Sequence, residues 1–221
     1  MRIDRNEERE RAIEAFRQVY AVSSQVISLY DHFDEIRQQG LDTAAKRGLD
    51  YLIHGLCAVL GYNPESHLND FWRRSGEDIF SGRREVHLGD SNALDNLIRA
   101  MEEDGATLID SGGYMAHSGR RIGVYIDKIF DDNREAERIY DNLRDTFDAG
   151  TRHMAAIAAS VAYPELTMVI VKSDYPQIRV IKDGYIVHST IASEVNHPQV
   201  VNNPQCNTSS KDDHHSDSLA A

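Results

Sequence analysis

The sequence predicts an α/β fold that is preceded by a helical N-terminal region. Three observations support this prediction. Residues 7–39 place apolar side chains at the three- and four-residue spacing of an amphipathic helix. From residue 85 onward, short β-branched segments alternate with helical ones, as in a sheet covered by helices. Between two of these segments, Asp183-Gly184 is a strong signal for a two-residue hairpin turn.

Helical spacing dominates the N-terminal region. After the helix at 7–39, a second helical pattern begins at Asp42 or Thr43 and continues to Leu60. The glycine and proline of residues 61–64 then interrupt it. The two helices can pair as an antiparallel hairpin.

The patterns between residues 71 and 117 change from helical to alternating. The segment 71–74 predicts a helical turn with Trp72 docked in the core. The patterns that follow predict, in order, a short strand at 85–88, a helix that begins at Asp90 or Ser91 and ends at Asp104-Gly105, a buried strand at 106–109, a turn at 110–113 and a returning strand at 114–117.

The C-terminal half contains two helical patterns followed by strands. Residues 131–147 carry an apolar stripe that predicts a helix, and Gly150 is placed to end it. Thr151 is a suitable N-cap for the next helix, which is rich in alanine and closed by Pro164. Strands are predicted at 167–171, 177–182 and 185–189.

Composition limits the classes of function. The 221 residues carry a net charge of −12, which argues against broad binding to nucleic acid or anionic membranes. Two distant cysteines, Cys57 and Cys206, indicate neither a disulfide framework nor a cysteine metal site. The N-terminus is charged, and no apolar run approaches the ~18–20 residues that span a bilayer. We therefore expect a cytoplasmic protein with a helical region at 1–80, an α/β domain at 81–195 and a polar, disordered tail at 196–221.

Two short motifs carry the chemistry. The start of the alanine-rich helix, Thr151-Arg152-His153, combines exposed backbone N–H groups with an arginine and a histidine, which favours an anion such as phosphate. The alternative is a buried helix whose Arg and His lie at a solvated end. In Asp104-Gly105-Ala106, the carboxylate can hold a divalent cation, although the triplet alone is equally a helix stop and a strand start. The sequence contains neither a Walker A loop nor a G-x-G-x-x-G motif.

Taken together, the two motifs and their flanking segments resemble the diadenylate cyclase (DAC) domain family. That family carries an Asp-Gly-Ala motif and, downstream, a Gly-Thr-Arg-His-Arg motif. The resemblance covers roughly residues 85–190 and includes the order of the elements. The matching segments are Asp104-Gly105-Ala106, Gly150 to His153, Ala155-Ala156-Ile157, the strand at 168–171, the turn at Ser173-Asp174 and the strand from Ile178 to Gly184.

The resemblance implies a mixed, twisted β-sheet flanked by helices and the condensation of two ATP molecules into cyclic di-AMP, with release of pyrophosphate. It implies a divalent metal, Mn²⁺ or Mg²⁺, and a homo-oligomer in which two active faces meet. The residue roles that it implies are as follows: Asp104 holds the metal and helps to activate the ribose 3′-hydroxyl, Gly105 and Ala106 line the nucleotide site, Thr151, Arg152 and His153 bind the phosphates, and Asp174 assists the metal.

This chain departs from the family pattern at four places, one of which is the stretch from Arg120 to Asp148, longer than the usual link between the two motifs. Met154 replaces the second arginine of Arg-His-Arg, Ser173-Asp174 replaces a pair of glutamates, and no Gly-Ala-Leu-rich first strand is evident ahead of Asp104. Two alternatives therefore stand beside the cyclase. One is a catalytically weakened domain that binds an adenine nucleotide as a sensor. The other is a structural or partner-binding protein that acts through its N-terminal helices, which in a cyclase would control assembly or regulation.

Overall fold

The described part of the chain is built around one mixed sheet of eight strands, flanked by helices. The structure is a computed structural model, and it describes residues 10, 25, 27–32, 55–67, 69–73, 78–81, 86–102, 104–147, 149–172 and 177–196. The predicted α/β class is thus confirmed.

Parallel and antiparallel pairs coexist in the sheet. Its strand order is β2-β5-β4-β1-β6-β7-β8, and β3 also pairs with β5. The β1–β4 pair is parallel, and the other described pairs are antiparallel. In chain order the elements are β1 (Cys57–Tyr62), α1 (Pro64–His67), β2 (Phe71–Arg73), β3 (Val86–His87), α2 (Ala93–Glu102), β4 (Ala106–Asp110), β5 (Tyr114–Ile122), α3 (Ile126–Asp132), α4 (Arg134–Phe147), α5 (Thr151–Ala162), β6 (Thr167–Lys172), β7 (Gln177–Lys182), β8 (Tyr185–Ser189) and a 3₁₀ turn at Ala192–Glu194.

Each face of the sheet buries its own apolar cluster. Alternate residues of β1 point to opposite faces, as the two-residue period of a strand requires. Cys57 and Val59 join the cluster that α3, α4 and α5 cover. Ala58 and Leu60 join the cluster that α2 covers, together with Leu29 from the N-terminal region.

The central strand β1 corrects the predicted second helix. Residues 57–62 form a buried strand between β4 and β6, not the end of a helix that continues to Leu60. A short, continuously apolar segment has no period that separates a buried strand from a buried helix. β1 also lies ahead of Asp104, where no Gly-Ala-Leu-rich first strand was evident in the sequence.

The sheet therefore extends to the N-terminal side of the predicted boundary at residue 81. Residues 27–32, within the predicted helix at 7–39, are helical. The remainder of that helix, the part of the second predicted helix before residue 55, and the predicted tail beyond residue 196 lie outside the described residues.

Trp72 is not in the core. The predicted helical turn at 71–74 is instead the short strand β2, so neighbouring side chains point to opposite sides. Phe71 is 1% exposed and takes the core position, whereas Trp72 is 49% exposed. The predicted helical turn was therefore wrong, and the buried aromatic residue of this segment is Phe71 and not Trp72.

The two helices before the candidate site also differ in detail from the prediction. The helical segment at 131–147 is divided at Asn133 into α3 and α4. Gly150 is the N-cap of α5, with an extended backbone, and Thr151 is the first helical residue.

The hairpin at Asp183-Gly184 is confirmed, and both residues have positive φ angles, as a type I′ turn requires.

Candidate functional site

A cleft of about 960 Å³ opens at one edge of the sheet. The parallel strands β1 and β4 begin there side by side, with Cys57 opposite Ala106. The antiparallel neighbours β5 and β6 end at the same edge, where Arg120 pairs with Ala106 and Ile170 pairs with Cys57. The start of α5 also lines the cleft. Segments that are far apart in the chain thus share one cavity.

The cleft brings Asp104 and Arg152 together. Nη2 of Arg152 lies 3.7 Å from Oδ1 of Asp104, and the two side chains are 35% and 60% exposed. Because both side chains are partly exposed, a ligand can reach them. An ion pair this exposed also contributes little to stability. The predicted site residues that line the cleft are Asp104, Gly105, Ala106, Thr151, Arg152 and His153. Asp174, the seventh, lies outside the described residues.

Gly105 is required for a reason that the sequence did not show. Its φ angle is +141°, a conformation that side-chain-bearing residues rarely adopt. A Cβ atom at this position would lie 2.7 Å from the carbonyl carbon of Gly119 and 2.8 Å from the carbonyl oxygen of Arg120. The close approach is thus between β4 and β5, whereas the family resemblance implied only that Gly105 lines the nucleotide site.

The start of α5 presents backbone donors to the cleft. The carbonyl oxygen of Gly150 accepts the first hydrogen bonds of the helix, from the N–H groups of His153 and Met154. The N–H groups of Thr151 and Arg152 precede those bonds and carry the positive end of the helix dipole. Fully buried alanines at 156, 158 and 159 let the helix pack closely on the sheet.

His153 is buried, and one of its ring nitrogens is engaged within the protein. Nη1 of Arg179 donates to its Nε2 at 2.9 Å. A guanidinium group can only donate, so Nε2 is the acceptor and a neutral ring carries its proton on Nδ1. The guanidinium of Arg179 is in turn held by both carboxylate oxygens of Glu194, at 2.7 and 2.6 Å. His153 therefore connects the start of α5 to a buried ion pair.

Sequence reasoning missed this ion pair and two arginines of the cleft. The one signal for Arg179 was a charged residue within the apolar strand β7. The sequence analysis gave Arg120 and Arg121 no role. Both lie at the end of β5 and, with Arg152, give the cleft three arginines in a chain whose net charge is −12.

Asp78 anchors Arg120 beneath the cleft. Its carboxylate is 2% exposed and accepts a hydrogen bond from Nη2 of Arg120 at 2.8 Å, and Nδ1 of His117 lies 2.8 Å from the same oxygen. The backbone N–H groups of Ser118 and Phe80 donate to the other oxygen. Burial alone would raise the pKa of Asp78, but the hydrogen bonds, led by that of Ser118, outweigh it and hold the pKa below its usual value.

The lowered pKa of Asp78 predicts an acid-dependent loss of stability. A lowered folded-state pKa stabilises the protein above the unfolded pKa of about 4, and that contribution disappears as pH falls through the folded value. We expect Asp78→Asn to lower the free energy of unfolding by about 1.5–3 kcal/mol at pH 7. The difference from the parent protein should shrink below about pH 5. Urea unfolding of both proteins from pH 7 to pH 3 measures this difference in the free energy of unfolding. A difference that does not change with pH would contradict the lowered pKa of Asp78.

Among the residues that the structure describes, no group of three or more His, Cys, Asp or Glu side chains could hold a metal ion. Asp104 is the carboxylate that lines the cleft. Burial raises the pKa of the Cys57 thiol to about 11, which Arg152 nearby only partly opposes. A thiol with this pKa is protonated at neutral pH, which disfavours a nucleophilic role for Cys57.

Comparisons with known proteins do not assign a family. No protein-family model and no curated protein matches the chain. Among solved structures, the chain is similar to one described as the hypothetical membrane spanning protein from Bacillus cereus, at 14% identity, over 74% of this chain and 69% of that one. The TM-score of 0.41 is too low to support an argument about either fold or function. Within the described ranges, no helix is both long and apolar enough to cross a membrane.

Proposed function

We propose that the cleft binds ATP and that the protein is a diadenylate cyclase with the DAC-type fold. It would condense two ATP molecules into cyclic di-AMP and release pyrophosphate. The observation that carries this proposal is the approach of Asp104 and Arg152 to 3.7 Å in one cleft. The two motifs of the family resemblance are distant in the chain, and a shared nucleotide site requires them to meet.

The start of α5 binds the triphosphate in this proposal. Arg152 supplies a charged donor, and the N–H groups of the first turn add the positive end of the helix dipole. Thr151 is exposed at the same end, and His153 supports the turn from below, where Arg179 holds its ring. Arg121 is a further exposed cation of the cleft.

The reaction is a reciprocal phosphoryl transfer. The 3′-hydroxyl oxygen of one ATP attacks the α-phosphorus of the other, the bond from that phosphorus to the β-phosphate oxygen breaks, and pyrophosphate leaves. Asp104 accepts the hydroxyl proton, and the same step in the opposite direction closes the ring. Positioning and charge neutralisation account for most of the catalysis in such transfers. A two-fold symmetric product favours a homo-oligomer in which two clefts face each other.

The residues of the cleft fit a divalent cation that arrives with the nucleotide. Mg²⁺ is usually held by one or two carboxylates together with substrate phosphates, and not by a cage of protein ligands. Asp104, 60% exposed at the cleft, is such a carboxylate. It would hold Mn²⁺ or Mg²⁺, which when bound neutralises charge on the phosphates.

Product analysis tests the proposal. We expect the purified full chain to convert ATP to cyclic di-AMP with Mn²⁺ or Mg²⁺, as measured by chromatography and mass spectrometry. Asp104→Asn should lower the rate about 10²–10⁴-fold, because it removes the proton acceptor and a cation ligand. Asp132→Asn, an exposed position at the end of α3, is the matched control and should retain full activity. A protein that binds ATP but forms no product with either metal would not be a cyclase.

One observation favours a nucleotide sensor as the second candidate. Met154 stands where the family has an arginine, and it packs against the apolar cluster under α3, α4 and α5. The start of α5 therefore has one cation fewer for the phosphates. A sensor would show a higher melting temperature with ATP and no cyclic di-AMP in the same assay.

A further inference from the structure

Trp72 occupies a distinctive position in the cleft. It is the one tryptophan of the chain, lies on the edge strand β2, lines the cleft and is 49% exposed. Single exposed aromatic residues are common on protein surfaces, so exposure alone indicates nothing. The way in which the ring is held does carry information.

The Trp72 ring rests on the backbone of Gly123. A Cβ atom at Gly123 would lie 2.2 Å from Cζ3, 2.7 Å from Cε3 and 2.8 Å from Cη2, all of which belong to the six-membered ring. Trp72 is also paired with Arg121 in the β2–β5 ladder, and the N–H of Gly123 donates to the carbonyl oxygen of Asp70 at 2.7 Å. Strand pairing and backbone contact thus fix the ring, while half of its surface remains open.

The strand order places Trp72 several strands away from the elements that bind the phosphates in the proposed function. Trp72 lies on β2, and the start of β1 lies three strands away along the order β2-β5-β4-β1. Three spacings of about 4.8 Å correspond to about 14 Å. A nitrogen of the Arg152 guanidinium lies near Gly55, just before β1, and Asp104, just before β4, lies between the two ends. The cleft therefore has an aromatic platform at one end and a cationic helix start at the other.

We propose that Trp72 is the stacking platform for the base of a bound nucleotide. Ile122, Val124 and Ile126 line the cleft after β5 and extend the apolar surface around the ring. This inference deepens the proposed function, on which it rests for the presence of a nucleotide. The ligand class is a purine nucleoside triphosphate, whose large planar ring stacks well on an indole and whose phosphates reach α5.

Tryptophan fluorescence, excited at a wavelength that the ten tyrosines do not absorb, tests the platform directly, because Trp72 is the one tryptophan of the chain. Two probes are used on the full chain: ATP, and inorganic triphosphate, which has no base. We expect saturable quenching with ATP. Inorganic triphosphate should raise the melting temperature and compete with ATP without comparable quenching.

Substitutions separate stacking from other roles. Trp72→Ala should weaken ATP binding about 5- to 150-fold and leave the affinity for inorganic triphosphate unchanged. Trp72→Phe keeps a ring and should recover much of the loss. Tyr125→Ala removes an aromatic side chain that is 84% exposed and absent from the cleft lining, and it should change neither affinity.

The outcomes distinguish this inference from the cyclase proposal. Normal ATP affinity in Trp72→Ala, with cyclic di-AMP still formed, would overturn the platform and leave the cyclase intact. A fluorescence change that follows protein concentration, with no further change when ATP is added, would assign Trp72 to a contact between copies and overturn the platform. Failure of both probes to bind would overturn both proposals.

Discussion

Glu194→Ala is expected to lower the free energy of unfolding by about 3–5 kcal/mol. The side chains of Glu194 and Arg179 are 0% and 1% exposed and share two charge-assisted hydrogen bonds. Removal of the carboxylate leaves a buried guanidinium without its counter-charge, and the protein cannot easily hydrate or neutralise that group. Equilibrium denaturation in urea measures the loss.

An exposed ion pair of the same type provides the control. Arg134 and Glu137 on α4 also approach to 2.7 Å, but their side chains are 69% and 38% exposed. Glu137→Ala should therefore cost less than about 1 kcal/mol. Equal losses in Glu137→Ala and Glu194→Ala would show that burial does not determine the strength of the Arg179–Glu194 pair.

The Glu194 variant should also disturb the candidate site. Arg179 donates to His153 in the first turn of α5, so a guanidinium that moves withdraws this support. Amide hydrogen exchange in the first turn of α5 should accelerate in Glu194→Ala and stay unchanged in Glu137→Ala.

Gly105→Ala is expected to destabilise the protein by about 2–6 kcal/mol. An L-residue at a φ of +141° costs about 1–3 kcal/mol, and forced overpacking costs about 1–3 kcal/mol more. The atoms that the new methyl group meets belong to the backbone of Gly119 and Arg120, which cannot rotate away as a side chain would. Thermal and urea denaturation measure the change.

The same substitution at Gly150 is the matched control. Gly150 also lines the cleft, but its φ is −85° and no atom lies within 4 Å of a Cβ placed there. Because Gly150 is an N-cap residue, Gly150→Ala should lower the free energy of unfolding by less than about 1 kcal/mol. If the Gly150→Ala and Gly105→Ala variants were equally stable, the close approach of β4 and β5 would not be the reason for a glycine at position 105.

Much of the sheet could be predicted because its signals are local. A tight turn between β-branched segments identified β7 and β8, and the spacing of apolar residues identified α2. β1 could not be predicted in this way, because a strand buried on both faces is apolar throughout and shows no alternation. Trp72 was misplaced for a related reason, since three residues are too few to distinguish a two-residue period from a helical turn.

Local sequence patterns were enough to predict the α/β class, most strands after residue 85 and the two motifs of the candidate site. Three features became visible only in the folded chain: Asp104 and Arg152 share a cleft, Arg179 and Glu194 support His153, and Trp72 lies at the far end of the cleft. Periodicity and turn chemistry depend on neighbours along the chain, so a sequence can reveal them. Which strand ends lie at the same edge, and which charges are buried together, depend on strand order and packing, which the local pattern does not encode.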